Sequence, residues 1–138
     1  MKKKYRKSPT RSKLTILLQV CNLIPTHLVT QLARETGVAD MARTFSAWSH
    51  VVALLFAQIT HAISLNDVCD SLRLFCGRLV AVRGAIPPSR NNLSHANKKR
   101  PAVLAERLFW ETLDHLQRRS PRFAAGGLWT PVGFPVQG

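Results

Sequence analysis

Between Ser89 and Pro101 the chain reads RNNLSHANKKR, a run in which three residue types suited to nucleic-acid recognition fall together. Arginine can donate two parallel hydrogen bonds to O6 and N7 of guanine, asparagine can pair with N6 and N7 of adenine, and the first residues of a groove-bound helix usually reach the base edges. Arg90, Asn91 and Asn92 are therefore the candidates for base contacts, and Ser94, Lys98, Lys99 and Arg100 the candidates for flanking phosphates. Leu93 and Ala96 form a thin apolar face that would anchor such a helix. The plainer alternative is a polar surface helix packed through Leu93.

The charge of the whole chain points the same way. Its 138 residues carry 20 Lys and Arg against 7 Asp and Glu, a formal net charge of +13. Binding to a polyanion releases counterions, so it would be strong at low salt and weaken steeply as salt rises. An anionic lipid surface or a simply solvated basic face is the competing explanation of charge alone. Residues 1–13 concentrate the effect: Lys2, Lys3, Lys4, Arg6, Lys7, Arg11 and Lys13 repel one another, which predicts a flexible basic arm. Lys2, Lys3 and Lys4 are further phosphate-contact candidates, because such arms follow a backbone or enter a minor groove; a solubilising tail is the alternative.

Other chemistries find little support. The acids Glu35, Asp40, Asp67, Asp70, Glu106, Glu111 and Asp114 mostly fall beside Arg or Lys at helical spacing, as in surface ion pairs. No Gly-rich phosphate loop, zinc-ligand spacing or nucleophile elbow is present. The expectation is no catalytic residue, no metal and no cofactor. Cys21, Cys69 and Cys76 are expected to be buried thiols of a reducing cytoplasm. The basic start before Ile16, Leu17 and Leu18 imitates an export signal, but Gln19, Asn22 and Pro25 interrupt it. The longest apolar run, Val51 to Ala57, is far short of the roughly 20 residues a membrane span needs. The expected location is the cytoplasm, with the nucleoid.

With 46% hydrophobic residues the chain can bury a core, and the apolar spacing is helical throughout. The expected fold is all-α, a compact bundle of five to six helices over residues 14–119, with the arm before it and an irregular tail over 120–138. Leu14, Leu17, Leu18 and Cys21 start it and Pro25 stops the first helix. A short helix from Thr26 to Thr36 exits through Gly37, with His27 exposed. The central core helix begins near Ser46, with Trp48, Val51, Val52, Leu55, Phe56, Ile59 and Ile63 on one stripe and a hydrogen-bonded Gln58 at its edge. Ser64 caps a helix that turns Leu65, Val68, Cys69, Leu72 and Cys76 inward and exits at Gly77. Ser89 caps the basic helix from Arg90 to Lys99. A last helix from Pro101 to about Arg119 closes the core with Ala105, Leu108, Phe109, Thr112, Leu113 and Leu116. The helices ending near Cys76 and starting at Arg90 form a helix-turn-helix-like pair with an elongated turn.

These pieces, in this order, resemble the N-terminal domain of IS-four-type insertion-sequence transposases. The matching residues are Phe45 and Trp48; Phe56, Ala57 and Gln58; Ser64, Leu65 and Asp67; and Ser89, Arg90, Leu93, Ser94, Ala96, Asn97 and Arg100, within a stretch from about Leu14 to Phe123. The chain departs from the family pattern at Asn66, Asn91 and Asn92. In that family an RNase-H-like catalytic domain follows, in which two Asp and a Glu hold two divalent metals. No carboxylate lies beyond Asp114, so no catalytic residue is carried across. The resemblance implies a non-catalytic DNA-binding module, a truncated remnant, with double-stranded DNA at element ends as its partner and full-length transposase as a second. A free-standing helix-turn-helix regulator and a basic RNA-associated protein are the alternatives; for RNA, only Tyr5 and Trp129 are expected to be exposed stackers.

Overall fold

The computed structural model describes residues 9–41 and 44–120, without the side chains of 9–12, 40 and 41. Among these residues every regular element is a helix: α1 Pro9–Leu23, α2 Leu28–Glu35, α3 Val38–Met41, α4 Ala47–Thr60, α5 Leu65–Leu74, α6 Cys76–Leu79, α7 Arg90–Lys99 and α8 Val103–Arg119. The fold is all-α, as the periodicity predicts, with α3 and α6 as additional single-turn pieces. Lys2, Lys3 and Lys4 and the tail beyond Ser120 lie outside the described residues. The first helix begins at Pro9, earlier than the expected Leu14. Proline suits a first helical position, where its missing N–H has no partner to lose.

α4 is the axis of the bundle because it is apolar on two sides. The Ser46 hydroxyl caps it by accepting from the Ser49 amide at 3.0 Å. Val52, Ala53 and Phe56 meet Leu14, Leu17 and Cys21 of α1, Val68, Cys69 and Leu72 of α5, and Leu93 and Ala96 of α7. Ala47 and Val51 face a second cluster with Leu28, Val29 and Leu32 of α2 and Leu104 of α8. Each large side chain buried this way contributes about 1.5–3 kcal/mol. α4 stops at His61, whose left-handed φ of 54° turns the chain away. Ile63 therefore lies off the stripe at 94% exposure, and Gln58 faces solvent instead of bonding inside the core.

The exit of α5 also differs from its expected form. The helix ends at Leu74, Cys76 starts α6 and is exposed, and Gly77 lies inside that short helix. The left-handed turn falls instead at Arg83 and Gly84, with φ of 50° and 74°. Cys21 and Cys69 are buried as expected, and burial pushes the Cys21 thiol up to about 11 against the opposing charge of Arg83. At the other end of the bundle, Gly37 ends α2 with φ of 82°, as the sequence predicts.

α8 does not close the core. Leu104 is its buried residue; Leu108, Thr112, Leu113 and Leu116 are half-buried, and Ala105 and Phe109 are exposed. The helix leans on α2, where Arg107 pairs with Glu35 at 2.7 Å and with Glu111 at 3.1 Å. The rest of its apolar stripe borders an open groove against α1 and α4. Periodicity identified the stripe but not what it faces.

Arg83 locks α1 and α4 to the turn before α7. Its guanidinium donates to the carbonyls of Cys21, Ile24 and Pro25, the last two at 2.9 and 3.4 Å. There α1 ends, and Arg83 adds to the turn bonds in which the Cys21 and Pro25 carbonyls accept from the Ile24 and Leu28 amides, each at 3.2 Å. The same group lies 4.3 Å from the centre of the Trp48 ring, and Trp48 Nε1 donates to the Val82 carbonyl at 2.8 Å. Arg83→Ala is expected to cost about 2–4 kcal/mol, from charged hydrogen bonds and the ring contact. Arg83→Gly should cost about 1 kcal/mol less than Ala, because the left-handed backbone suits glycine. Urea unfolding of both variants checks this; an equal loss would show that backbone conformation has no part in the effect.

Candidate nucleic-acid interface

The basic segment folds as expected into a regular helix. The Ser89 hydroxyl accepts from the Asn92 amide at 3.1 Å, and Leu93 and Ala96 are 1% and 5% exposed against the core. That anchoring turns Arg90, Asn91, His95, Lys98 and Lys99 to solvent and leaves Asn92 and Ser94 half-buried. It also places Lys98 and Lys99 in the last turn, where the helix dipole favours cations. Of the three base-contact candidates, Arg90 and Asn91 are exposed and Asn92 is half-buried. Lys98 and Lys99 stand two turns further along the same helix.

Arg100 is placed differently from its expected role. Its guanidinium donates to the carbonyls of Phe45 and Ser46, the latter at 3.4 Å, and lies 5.3 Å from the centre of the Phe45 ring. Burial lowers its pKa. Two of its donors are thereby tied to the loop before α4, which makes it a fastening of α7 more than a free phosphate ligand. Lysine could not reproduce this arrangement, because a forked planar cation is needed to meet two carbonyls and a ring face together.

Further bonds fix α7 to the start of α4. His50 Nε2 lies 2.7 Å from Asn97 Oδ1, and the His50 and Phe45 rings sit 5.6 Å apart. The Ser49 hydroxyl accepts from the Ile86 amide at 3.0 Å and holds the strap that leads into Ser89. The helix is thus gripped before its first residue and after its last. α5 packs along α7, joined to it through residues 75–89. This is the expected helix pair, with a connection that contains α6 and the Arg83 turn.

Arg73 is a further exposed cation, one that no motif in the sequence singles out. It lies on α5, the helix that packs on α7; burial raises the pKa of the nearby Cys69 thiol, the charges of Arg73 and Arg90 oppose that, and the charge of Asp70 adds to it. The signal for Arg73 was its register on α5, one residue after the buried Leu72. The acids behave as expected where they pair: Glu35 and Glu111 with Arg107, and Asp114 with Arg118.

His50 couples this junction to pH. Burial lowers its pKa from 6.5, the Asn97 hydrogen bond works against that, and the Arg100 charge adds to it. The fold thus favours neutral imidazole: its contribution is complete above the unfolded value near 6.5 and is lost as pH falls below it. The melting temperature is expected to drop between about pH 7 and pH 5, and His50→Gln, which can still bond Asn97, should flatten that part of the profile. Parallel profiles for the two proteins would place the pH dependence elsewhere.

Among the described residues no single helix is long and apolar enough to cross a membrane. A family model described as a domain of unknown function, DUF4372, matches residues 12–82, just over half of the chain. That match starts within α1, takes in α2 to α6 and ends immediately before Arg83. Comparison with curated proteins and with solved structures finds no match.

Proposed function

We propose that this chain, which belongs to the DUF4372 family, is a DNA-binding module that acts by binding and not by catalysis. The observation that carries the reading is α7: an exposed row of Arg90, Asn91, His95, Lys98 and Lys99 on a helix whose two ends are fastened to the core. A rigid convex helix with that chemistry suits the major groove of duplex DNA, where Arg90 and Asn91 would meet base edges and Lys98 and Lys99 phosphates. Arg73 would meet the backbone beside it. The net charge of +13 adds attraction that carries no sequence information.

The order of the residues similar to IS-four-type transposases supports the finer reading, that the module positions element ends for strand transfer carried out by another domain. Full-length transposase is then the natural protein partner. A single-stranded RNA role has less support, because it needs exposed aromatic rings beside basic groups: Trp48 is covered by Arg83, Phe56 lies in the core, and the exposed Phe109 borders an apolar groove whose cation, Arg100, is bonded to backbone carbonyls.

Binding to duplexes selected from a random pool, followed across a salt series, tests the proposal. Lys98→Ala with Lys99→Ala should weaken all duplexes alike and reduce the salt slope by about 2. Arg90→Ala with Asn91→Ala should lower preference for the selected sequence, by about 1–3 kcal/mol for each base no longer bonded. Equal loss from both pairs, or equal competition by RNA and an unrelated polyanion, would contradict a recognition helix.

A further inference from the structure

The groove left open by α8 has a cavity volume of about 610 Å³. Its floor is built by Leu23 of α1 with Val51 and Leu54 of α4, and its wall by Phe109, Leu113 and Leu116 of α8. Phe109 is 50% exposed, Leu23 49% and Leu54 39%, so three large apolar side chains meet water beside one another. No acid is among the lining residues, and the cation among them, Arg100, is bonded to the carbonyls of Phe45 and Ser46. On a chain of net charge +13 this is an uncharged apolar surface, unsuited to a phosphate backbone. The wall also holds Thr112, whose Oγ1 is buried with no hydrogen-bond partner among the described residues. A buried hydroxyl in that state costs about 1–3 kcal/mol until something supplies a partner.

We infer that the groove is covered by the chain's own segment from Phe123 to Gly138. That stretch carries no charged residue and contains Phe123, Leu128, Trp129, Val132, Phe134 and Val136. It is as apolar as the groove, in contrast to the basic remainder of the chain. Pro131 and Pro135, with Gly126 and Gly127, suit an extended course and not another helix.

Reach and tethering favour this occupant. The 18 residues after Ser120 span up to about 60 Å extended, whereas the 17 residues of α8 measure about 25 Å. The segment can therefore leave α8 one turn past Leu116 and run back along the whole groove. A short link of this kind holds a segment near its site at an effective concentration on the order of millimolar, so weak intrinsic affinity suffices. A second copy of the chain would have to compete with that.

The full chain bearing Trp129→p-benzoylphenylalanine, irradiated when dilute and digested for mass spectrometry, tests the inference. The expected product has monomer mass and joins position 129 to a groove residue such as Leu54, Phe109 or Leu113. Adding Phe109→Asp, which sets a charge in the groove, should cut that yield about tenfold, with an unchanged far-ultraviolet circular dichroism spectrum confirming the fold. A cross-linked dimer whose yield rises with concentration would make a second copy the occupant and overturn the inference. So would a yield no higher than that of Ile63→p-benzoylphenylalanine, placed at an exposed position far along the chain.

Discussion

Helix ends are where a small all-α protein is most in need of partners, since the last carbonyls of each helix have no amide to accept from. In this chain Arg83 supplies such a partner at the end of α1 from a distance in sequence, and Arg100, in the same way, ties down the loop that enters α4. Arg83 reaches the end of α1 and covers Trp48; Arg100 reaches the loop before α4 and covers Phe45. In each case one planar cation satisfies carbonyls and stacks on an aromatic ring, which is why the first turn of α4 can gather α1, the 75–89 connection and α7 around itself. The placement of the basic helix follows from that gathering.

This division of labour changes how the residues similar to the transposase pattern are understood. Phe45, Trp48, Asn97 and Arg100 build the junction, Ser64 and Ser89 cap helices, and Phe56, Leu93 and Ala96 fill the core. Arg90 is the member of the pattern that stands free on the exposed face of α7. Asn91, Lys98 and Lys99 are exposed, so side chains at these positions can change without disturbing the core. Residues that anchor the helix and residues that face solvent alternate within the same eleven-residue run.

The elements were legible because caps and breakers are local. Ser64 and Ser89 each accept an amide three residues on, as their positions implied, Ser46 does the same at the start of α4, and Pro25 and Gly37 end helices where expected. What was not legible depends on neighbours far apart in the chain. The role of Arg100 could not be read without knowing that Phe45 lies beneath it. Gly77 looked like an exit because glycine commonly is one, yet the left-handed turn was placed at Arg83, where the guanidinium's reach to α1 compensates the strained backbone. The stripe on α8 had the right period, but period does not say whether the opposite surface is present.

The central claim is that the outward face of α7 meets a duplex while the junction beneath it stays fixed. Amide chemical-shift changes on titrating the nitrogen-labelled full chain with duplex DNA test it residue by residue. The account predicts the largest changes at Arg90, Asn91, His95, Lys98 and Lys99, with Arg73 following and Leu93, Phe45 and Trp48 nearly still. Changes centred on another helix, or an α7 that does not respond at saturating duplex, would contradict it.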